Sequence, residues 1–252
     1  MGFYDLSKKQ RNELVHSMEE DIKRDLKTGK TISIHKYAAD DDTYIRKNAY
    51  LILGRLYRDQ EDLHENILKA TETLYEDVDD KKRQTAVYTW TEIGKIDADR
   101  VKRHLEWALT DQSHQVKNGI MGGLKQMCQK NPTPTLEFAQ THLHDPDPEV
   151  RRIIIHGMEL RGRTHPEEIL PLLGQLQHED HPRVRPMLLH VIGQISYKKG
   201  CLEKVTIFLK DWENQDLVAD AKAEIVSVHQ RYKFASKTPE EAEKYLQREL
   251  TK

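Results

Sequence analysis

The stretch that decides the fold covers residues 145–160 and reads DPDPEVRRIIIHGMEL. It joins an acidic turn to a short helical pattern whose anchor is Arg151. Apolar side chains stand one residue before this arginine and three and seven residues after it, which places them on one face of a helix. Asp147, four residues before the arginine, is of the residue type that caps a helix N-terminus. The stretch therefore predicts a capped amphipathic helix that follows an acidic turn.

The same pattern recurs along the chain with a nearly constant period. Residues equivalent to Arg151 are separated by 37, 34, 34, 34 and 33 positions. These anchors are Arg46, Arg83, Lys117, Arg151, Arg185 and Val218. The positions three, seven and ten residues after each anchor are apolar in every repeat, with Arg161 the single exception. A period of this length with a helical apolar stripe indicates a stack of helical hairpins.

The turn before each anchor helix repeats as well. Four residues before the anchors stand Asp42, Asp79, Ser113, Asp147, His181 and Asn214, of which all but the histidine are good N-caps. Six residues before the anchors, five of the six positions are acidic. An acid there suits the helix dipole, and we expect it to pair with the anchor Arg or Lys of a neighbouring hairpin.

Each anchor helix needs a partner helix before it. The sequence predicts these partners at 33–39, 61–76, 98–109, 133–143, 166–177 and 202–212. The predicted fold is all-α, a right-handed α-α superhelix of about six hairpins. We expect a single domain over residues 1–252, with an N-terminal capping helix in 1–29, the repeats in 30–232 and a C-terminal helix in 237–252. Terminal units of such a stack are expected to be atypical.

The quoted stretch resembles the second helix of a HEAT repeat, and residues 79–94, DDKKRQTAVYTWTEIG, are similar to it. The chain also resembles the HEAT-like DNA alkylation-repair proteins of the AlkC/AlkD type. The segment VRRIIIHGMELRGR, followed by ILPLL at 169–173, carries that likeness. The resemblance implies a protein that excises alkylated bases or, as in non-catalytic relatives, binds branched DNA.

The catalytic segment of those relatives has no counterpart here. The glycosylases resemble one another in a Trp- and Asp-bearing segment near the start of a central helix. The comparable residues 113–119 read SHQVKNG, without Trp or Asp. Because this Trp and Asp are missing, the sequence favours DNA binding over base excision.

Composition narrows the function classes further. The formal net charge is −2, so the chain as a whole has no excess of positive charge that would demand a polyanion or a membrane. No run of 18 apolar residues occurs, so no transmembrane helix is expected. Cys128 and Cys201 have no metal-binding or redox spacing, which is typical of free thiols in a reducing compartment. We expect a cytoplasmic monomer without cofactor or metal.

Two sets of residues are not required by the repeat and are therefore candidates for binding. His156 and His190 occupy the same repeat position, which Tyr88 holds two repeats earlier. They form either a titratable binding site or a half-buried polar seam between helices. The turns between hairpins carry basic residues over the C-terminal half of the chain, among them Arg161, Arg163, Lys198 and Lys199. These residues form either a phosphate-binding edge or ordinary solvated turns. The complete set of candidate binding residues is Tyr88, Lys125, Arg152, His156, Arg161, Arg163, His190, Tyr197, Lys198 and Lys199.

Two classes of function follow from these residues. In the first, the chain is a non-catalytic, repair-related protein that grips the DNA backbone with the basic edge and concave face. Charge reversal at Arg161 and Arg163 would then weaken binding. In the second, the concave face holds a protein partner, as helical solenoids commonly do. A third hypothesis, supported by the resemblance alone, is an alkylbase DNA glycosylase.

Overall fold

The computed structural model describes residues 2–250, which form fifteen α-helices, two short 3-10 helices and no β-strand. The α-helices are α1 Lys8–Thr28, α2 Ile32–Ala38, α3 Thr43–Asp59, α4 His64–Tyr75, α5 Asp80–Gly94, α6 Ala98–Leu109, α7 His114–Lys130, α8 Pro132–His142, α9 Pro148–Gly157, α10 Glu159–Gly162, α11 Pro166–Gly174, α12 Arg185–Gln194, α13 Cys201–Lys210, α14 Gln215–Arg231 and α15 Pro239–Glu249. The all-α prediction is confirmed. Among the described residues no helix has the length and apolarity that a membrane span requires.

The chain folds as two compact units, Met1–Gly123 and Leu124–Lys252, and the division falls inside α7. In the first unit, α3 packs on α5, and α5 packs on α4 and α6. In the second unit, α12 packs on α9 and α14, and α14 packs on α15. The single domain over residues 1–252 stays a prediction, and the last two residues of its predicted C-terminal helix lie outside the described part of the chain.

The helix starts follow the predicted register. The side chains of Asp42, Asp79, Ser113, Asp147 and Asn214 each accept a hydrogen bond from a backbone amide two or three residues further on. The fifth position departs from this pattern: the Nδ1 atom of His181 accepts from the amide of Arg183 at 3.2 Å, but α12 begins only at Arg185, so the contact holds the turn and does not cap the helix. In the first five repeats, the acid two residues before this position accepts from the amide of Asp42, Asp79, Ser113, Asp147 or His181. Each acidic turn is therefore held by its own side chains.

Two of the four anchor arginines, Arg83 and Arg151, pair with the acid of the next hairpin as expected, whereas Arg46 bonds within its own turn and Arg185 pairs with Asp220. The Nη1 group of Arg151 donates to the carbonyl of Asp145 in its own turn at 2.8 Å. Its Nε donates to Glu179, the acid of the next hairpin, at 2.7 Å. Within the first unit, Arg83 makes the same two kinds of contact, with the carbonyl of Asp77 at 3.0 Å and the carboxylate of Asp111 at 2.9 Å. A planar guanidinium can make both contacts at once, which explains the arginine at these positions.

The apolar stripe forms the core. All seventeen apolar side chains at offsets three, seven and ten from the anchors are at most 2% exposed. Burial of each large aliphatic side chain stabilises the fold by about 1.5–3 kcal/mol. Because these residues recur in every hairpin, the core is continuous along each stack, and no single central core is needed.

The fourth anchor helix departs from the regular pattern. It ends at Gly157, and α10 starts at Glu159 after a tight turn in which the amide of Met158 bonds to the carbonyl of Ile155. A Cβ atom on Gly157 would lie 2.9 Å from the Cβ of Leu124, so the glycine permits close packing there. The turn separates His156 from Glu159, the two residues at the centre of the site described next.

Candidate nucleic-acid interface

One buried carboxylate brings together four of the predicted binding residues of the second unit. The side chain of Glu159 is 2% exposed, and its Oε2 atom lies 2.8 Å from the Nε2 of His156, 3.1 Å from the Nζ of Lys125 and 3.5 Å from the Nε2 of His190. Its Oε1 atom pairs with the Nη2 of Arg163. We call these five residues the Glu159 cluster. Four of them were predicted as binding residues, whereas the carboxylate that brings them together was not.

Four different helices position the cluster. Lys125 extends from α7, His156 from the last turn of α9, Arg163 from the end of α10 and His190 from α12. The rings of the two histidines meet edge to face with centroids 5.5 Å apart, as their shared repeat position predicts. The lysine, both histidines and the arginine keep 15–36% of their side chains exposed. The carboxylate is therefore internal, and its partners reach the surface.

The surroundings set the charge of the cluster. Burial raises the pKa of the Glu159 carboxyl, but hydrogen bonds from the two histidines and the charges of Lys125 and Arg163 outweigh it. The pKa of this carboxyl therefore lies far below its usual range, and the group stays ionised. Burial is also the largest influence on His156 and lowers the pKa of its imidazole. One carboxylate thus faces two permanent cations.

Three residues of the cluster have the side chains of a metal site. The ligand atoms of His156, Glu159 and His190 lie within 4.8 Å of one another, and two histidines with one glutamate are a known zinc set. However, the Nζ atom of Lys125 lies 2.6 Å from the Nε2 of His156 and 3.1 Å from the Glu159 carboxylate. An ammonium group therefore already lies against two of the three ligands, and a dication beside it would be repelled. The residues do not fit a metal centre.

Arg163 connects the cluster to a neighbouring surface. Its Nη2 donates to the side-chain carbonyl of Gln194 at 2.6 Å, and its guanidinium carbon lies 5.8 Å from the centre of the Tyr197 ring. The ring of Tyr197 stacks on that of Tyr232 with centroids 5.0 Å apart and an interplanar angle of 8°. Because Tyr197 is buried, it packs against Arg163 and Tyr232 and is not exposed to contact a ligand as predicted.

Two turns meet at this aromatic stack. The amide of Ser236 donates to the carbonyl of Tyr197 at 2.8 Å, which ties residues 232–237 to residues 197–200. The two segments read YKFASK and YKKG, and neither contains an acid. Lys198, Lys199 and Lys233 are exposed on them. We call the two segments the basic turn pair.

The remaining predicted arginines are engaged in ion pairs. Arg161 contacts the Glu168 carboxylate through Nε at 2.7 Å and through Nη2. Arg152 contacts Glu149 through Nε at 3.0 Å and Nη2 at 2.6 Å. Both guanidinium groups are less than a fifth exposed. A phosphate could reach either one only by displacing a carboxylate.

Tyr88 lies in the first unit, where its ring stacks on Tyr50 with centroids 4.8 Å apart. Desolvation by burial raises the pKa of its hydroxyl. The structure therefore assigns Tyr88 to a stacked aromatic pair on α3 and α5.

Two glycines lie near this pair. A Cβ atom on Gly123 would lie 2.2 Å from Thr91, so close helix packing accounts for this glycine. A Cβ atom on Gly122 would meet nothing nearer than 4.0 Å.

The predicted set of binding residues leaves out three residues of this surface: Glu159, Lys233 and Phe234. The spacing of Glu159, three residues after His156 and four before Arg163, was a usable signal, because such residues share a helix face. Lys233 and Phe234 follow the last residue of the sixth anchor helix, where the repeat pattern no longer applies. Only their hydrogen-bonded position beside residues 197–200 brings them to the surface around Lys198 and Lys199.

Comparison with known proteins identifies the fold. No family model matches the chain, and no curated protein matches its sequence. The structure is similar to the crystal structure of AlkD2 from Streptococcus mutans, with a TM-score of 0.57 and 18% identity over 81% of this chain and 97% of that one. It is also similar to smu.31 from Streptococcus mutans UA159, with a TM-score of 0.55 and 19% identity over the same shares of the two chains. The chain has the AlkD2 fold. The predicted resemblance is thus confirmed at the level of fold.

Proposed function

We propose that the chain is a non-catalytic nucleic-acid-binding protein with a role related to DNA repair, and that it grips the phosphodiester backbone with the basic turn pair. The observation that carries the proposal is the hydrogen bond from Ser236 to Tyr197, which joins the two acid-free segments that expose Lys198, Lys199 and Lys233. Lysine ammonium groups bind phosphates as mobile point charges and release counterions when they do so.

The Glu159 cluster supports this surface. Lys125 and Arg163 together carry two positive charges against one carboxylate, so the cluster adds one net positive charge beside the basic turn pair. His190, with 36% of its side chain exposed, offers a further donor to an anionic ligand. The fold shared with AlkD2 is consistent with a role in DNA repair.

The cluster is unsuited to base excision. A carboxylate that assists excision must be able to face the substrate, but both oxygens of Glu159 already contact side chains of the protein. Together with the absence of Trp and Asp from residues 113–119, this favours binding without catalysis. We expect no release of alkylated bases from methylated duplex DNA.

The test measures DNA affinity against salt concentration by fluorescence anisotropy. The double variant K198E/K199E should bind duplex DNA more weakly than the wild type. The slope of log K against log salt should become shallower by about 2, which is one for each phosphate that the variant no longer binds. Arg161 and Arg163 are unsuitable for this test, because reversing their charges would break ion pairs inside the protein.

The matched control is K69E/K102E, which makes the same change in net charge on two exposed lysines of the first unit. Its affinity and salt slope should stay close to those of the wild type. Equal losses in both double variants would mean that only net charge matters, and would contradict the proposed site. If the wild type binds no duplex, forked or single-stranded DNA at low salt, nucleic-acid binding is wrong and the protein-scaffold hypothesis takes its place.

A further inference from the structure

Phe234 is an exposed aromatic side chain in the middle of the basic turn pair. It is 76% exposed, although phenylalanine is usually buried. Lys233 precedes it, and Tyr232 meets its ring edge to face with centroids 5.9 Å apart. The phosphate-binding role proposed above does not use this ring. A ring held open to solvent among lysines therefore calls for a separate explanation.

The turn that carries Phe234 is held on both sides. Before the ring, Tyr232 stacks on Tyr197, which is itself buried. After it, the amide of Ser236 bonds to the Tyr197 carbonyl, and the Nζ of Lys237 pairs with Glu203 at 3.1 Å. A ligand that binds the ring therefore has little loop entropy to remove, because the turn is ordered beforehand.

The lysines define the charge of the ligand. Lys198, Lys199 and Lys233 are exposed, and the two turns contain no acid that could neutralise them. A ligand for the whole surface must offer a flat apolar face and several negative charges. Single-stranded nucleic acid has both, because each unpaired base exposes a π-face and each nucleotide carries a phosphate. In a duplex the base faces are covered by their neighbours.

We propose that Phe234 stacks an unpaired base of a nucleic-acid strand, while Lys198, Lys199 and Lys233 hold the adjacent phosphates. This inference rests on the proposed backbone binding and adds a preference for unpaired bases to it. A lipid surface fits less well, because membrane binding grows with the apolar area inserted, and here one ring stands among lysines and a serine.

The experiment compares two labelled probes of about 20 nucleotides, oligo(dT) and a duplex, at one salt concentration. Phe234→Ala should weaken binding to oligo(dT) by about 5- to 150-fold, the range expected when one base no longer stacks. It should change duplex affinity less than about twofold, since the lysines remain. Phe234→Trp should retain the oligo(dT) affinity and Phe234→Leu should not, because only the former keeps a stacking face.

Ile207→Ala is the matched control. Ile207 is another exposed apolar side chain of the second unit, 61% exposed on α13, so its removal should leave both affinities unchanged. Because Phe234 makes little buried contact, its variants should keep the wild-type helical circular dichroism and thermal midpoint, which shows that any loss of affinity is not a loss of fold.

Each other outcome overturns the inference in a recognisable way. Equal weakening of both probes, or no weakening of oligo(dT), refutes stacking while leaving backbone binding intact. If the wild type binds neither probe, both proposals fail. Vesicles of phosphatidylcholine and phosphatidylserine provide the last arm. Binding to them that Phe234→Ala abolishes, with oligo(dT) affinity unchanged, would identify the surface as a membrane contact instead.

Discussion

Replacing Glu159 with glutamine removes the one negative charge of the Glu159 cluster while keeping the size of the side chain. In the wild type this carboxylate contacts Lys125 at 3.1 Å and also pairs with Arg163. In the variant E159Q, the two cations face each other without a counter-charge, and the amide can accept only through one oxygen. The substitution therefore tests whether the carboxylate holds this part of the second unit together.

The expected loss follows from the exposure of the partners. Removing one member of a fully buried ion pair costs about 3–5 kcal/mol, because it leaves an uncompensated charge inside. Glu159 is 2% exposed, but Lys125 and Arg163 are 19% and 22% exposed and can recover part of their hydration. The loss should therefore lie near the lower end of that range, about 3 kcal/mol.

The assay is urea unfolding followed by circular dichroism, with the free energy of unfolding extrapolated to water. The matched control is E167Q, the same substitution in the ion pair with Lys204, where the side chains are 43% and 46% exposed. An exposed pair contributes about 0–1 kcal/mol, so E167Q should be nearly neutral.

A loss below about 1 kcal/mol in E159Q, or equal losses in E159Q and E167Q, would refute the reasoning, because the burial of Glu159 would then have no energetic consequence. An unchanged denaturant slope is needed for the comparison, since a changed slope signals an altered unfolded state or a loss of two-state behaviour.

Three further predictions concern the scaffold. R151K keeps the charge but cannot bridge its own turn and Glu179 together, so its free energy of unfolding should fall by about 2 kcal/mol in a urea titration. G162A would place a Cβ atom 2.3 Å from an isoleucine side chain and should lower the free energy of unfolding by about 1–3 kcal/mol. In G122A the new Cβ atom meets no atom nearer than 4.0 Å, so this variant should be more stable by about 0.5–1 kcal/mol. The thermal midpoints of the two variants should therefore move in opposite directions. Burial lowers the pKa of His229 below its ordinary value of 6.5. As the pH drops below 6.5, this histidine is therefore protonated in the unfolded chain before it is protonated in the folded one, and the free energy of unfolding should fall. Unfolding titrations at several pH values should show a shallower fall in H229L, and an unchanged dependence would contradict this assignment.

The helical repeat could be predicted because its signals come from residues that lie close together in the sequence. Helical spacing and N-caps involve only residues close together in the chain, and the nearly constant period shows the same pattern in almost every hairpin. The prediction for α6 coincides with the observed helix, Ala98–Leu109. The interruption of the fourth anchor helix at Met158 was not predicted; it lies beside Gly157, which packs closely on Leu124.

The binding residues were only partly predictable. The shared repeat position of His156 and His190 correctly indicated that the two rings are neighbours. The pairing of Arg152 with Glu149, three residues earlier on α9, was also open to prediction from its spacing. That Arg161 is paired while Lys198 and Lys199 are exposed could not be read from the sequence, since all three are basic residues between hairpins.

The sequence by itself determined the helical repeat, its register and its buried stripe, because helical spacing and N-caps involve residues within one helix and the same pattern recurs along the chain. The tertiary structure alone decided which charges remain exposed, why Glu159 stays ionised inside the second unit, and that Phe234 stands among lysines from two turns. Burial and charge pairing depend on segments about 30–40 residues apart in the chain, and only the stacked hairpins bring those segments together.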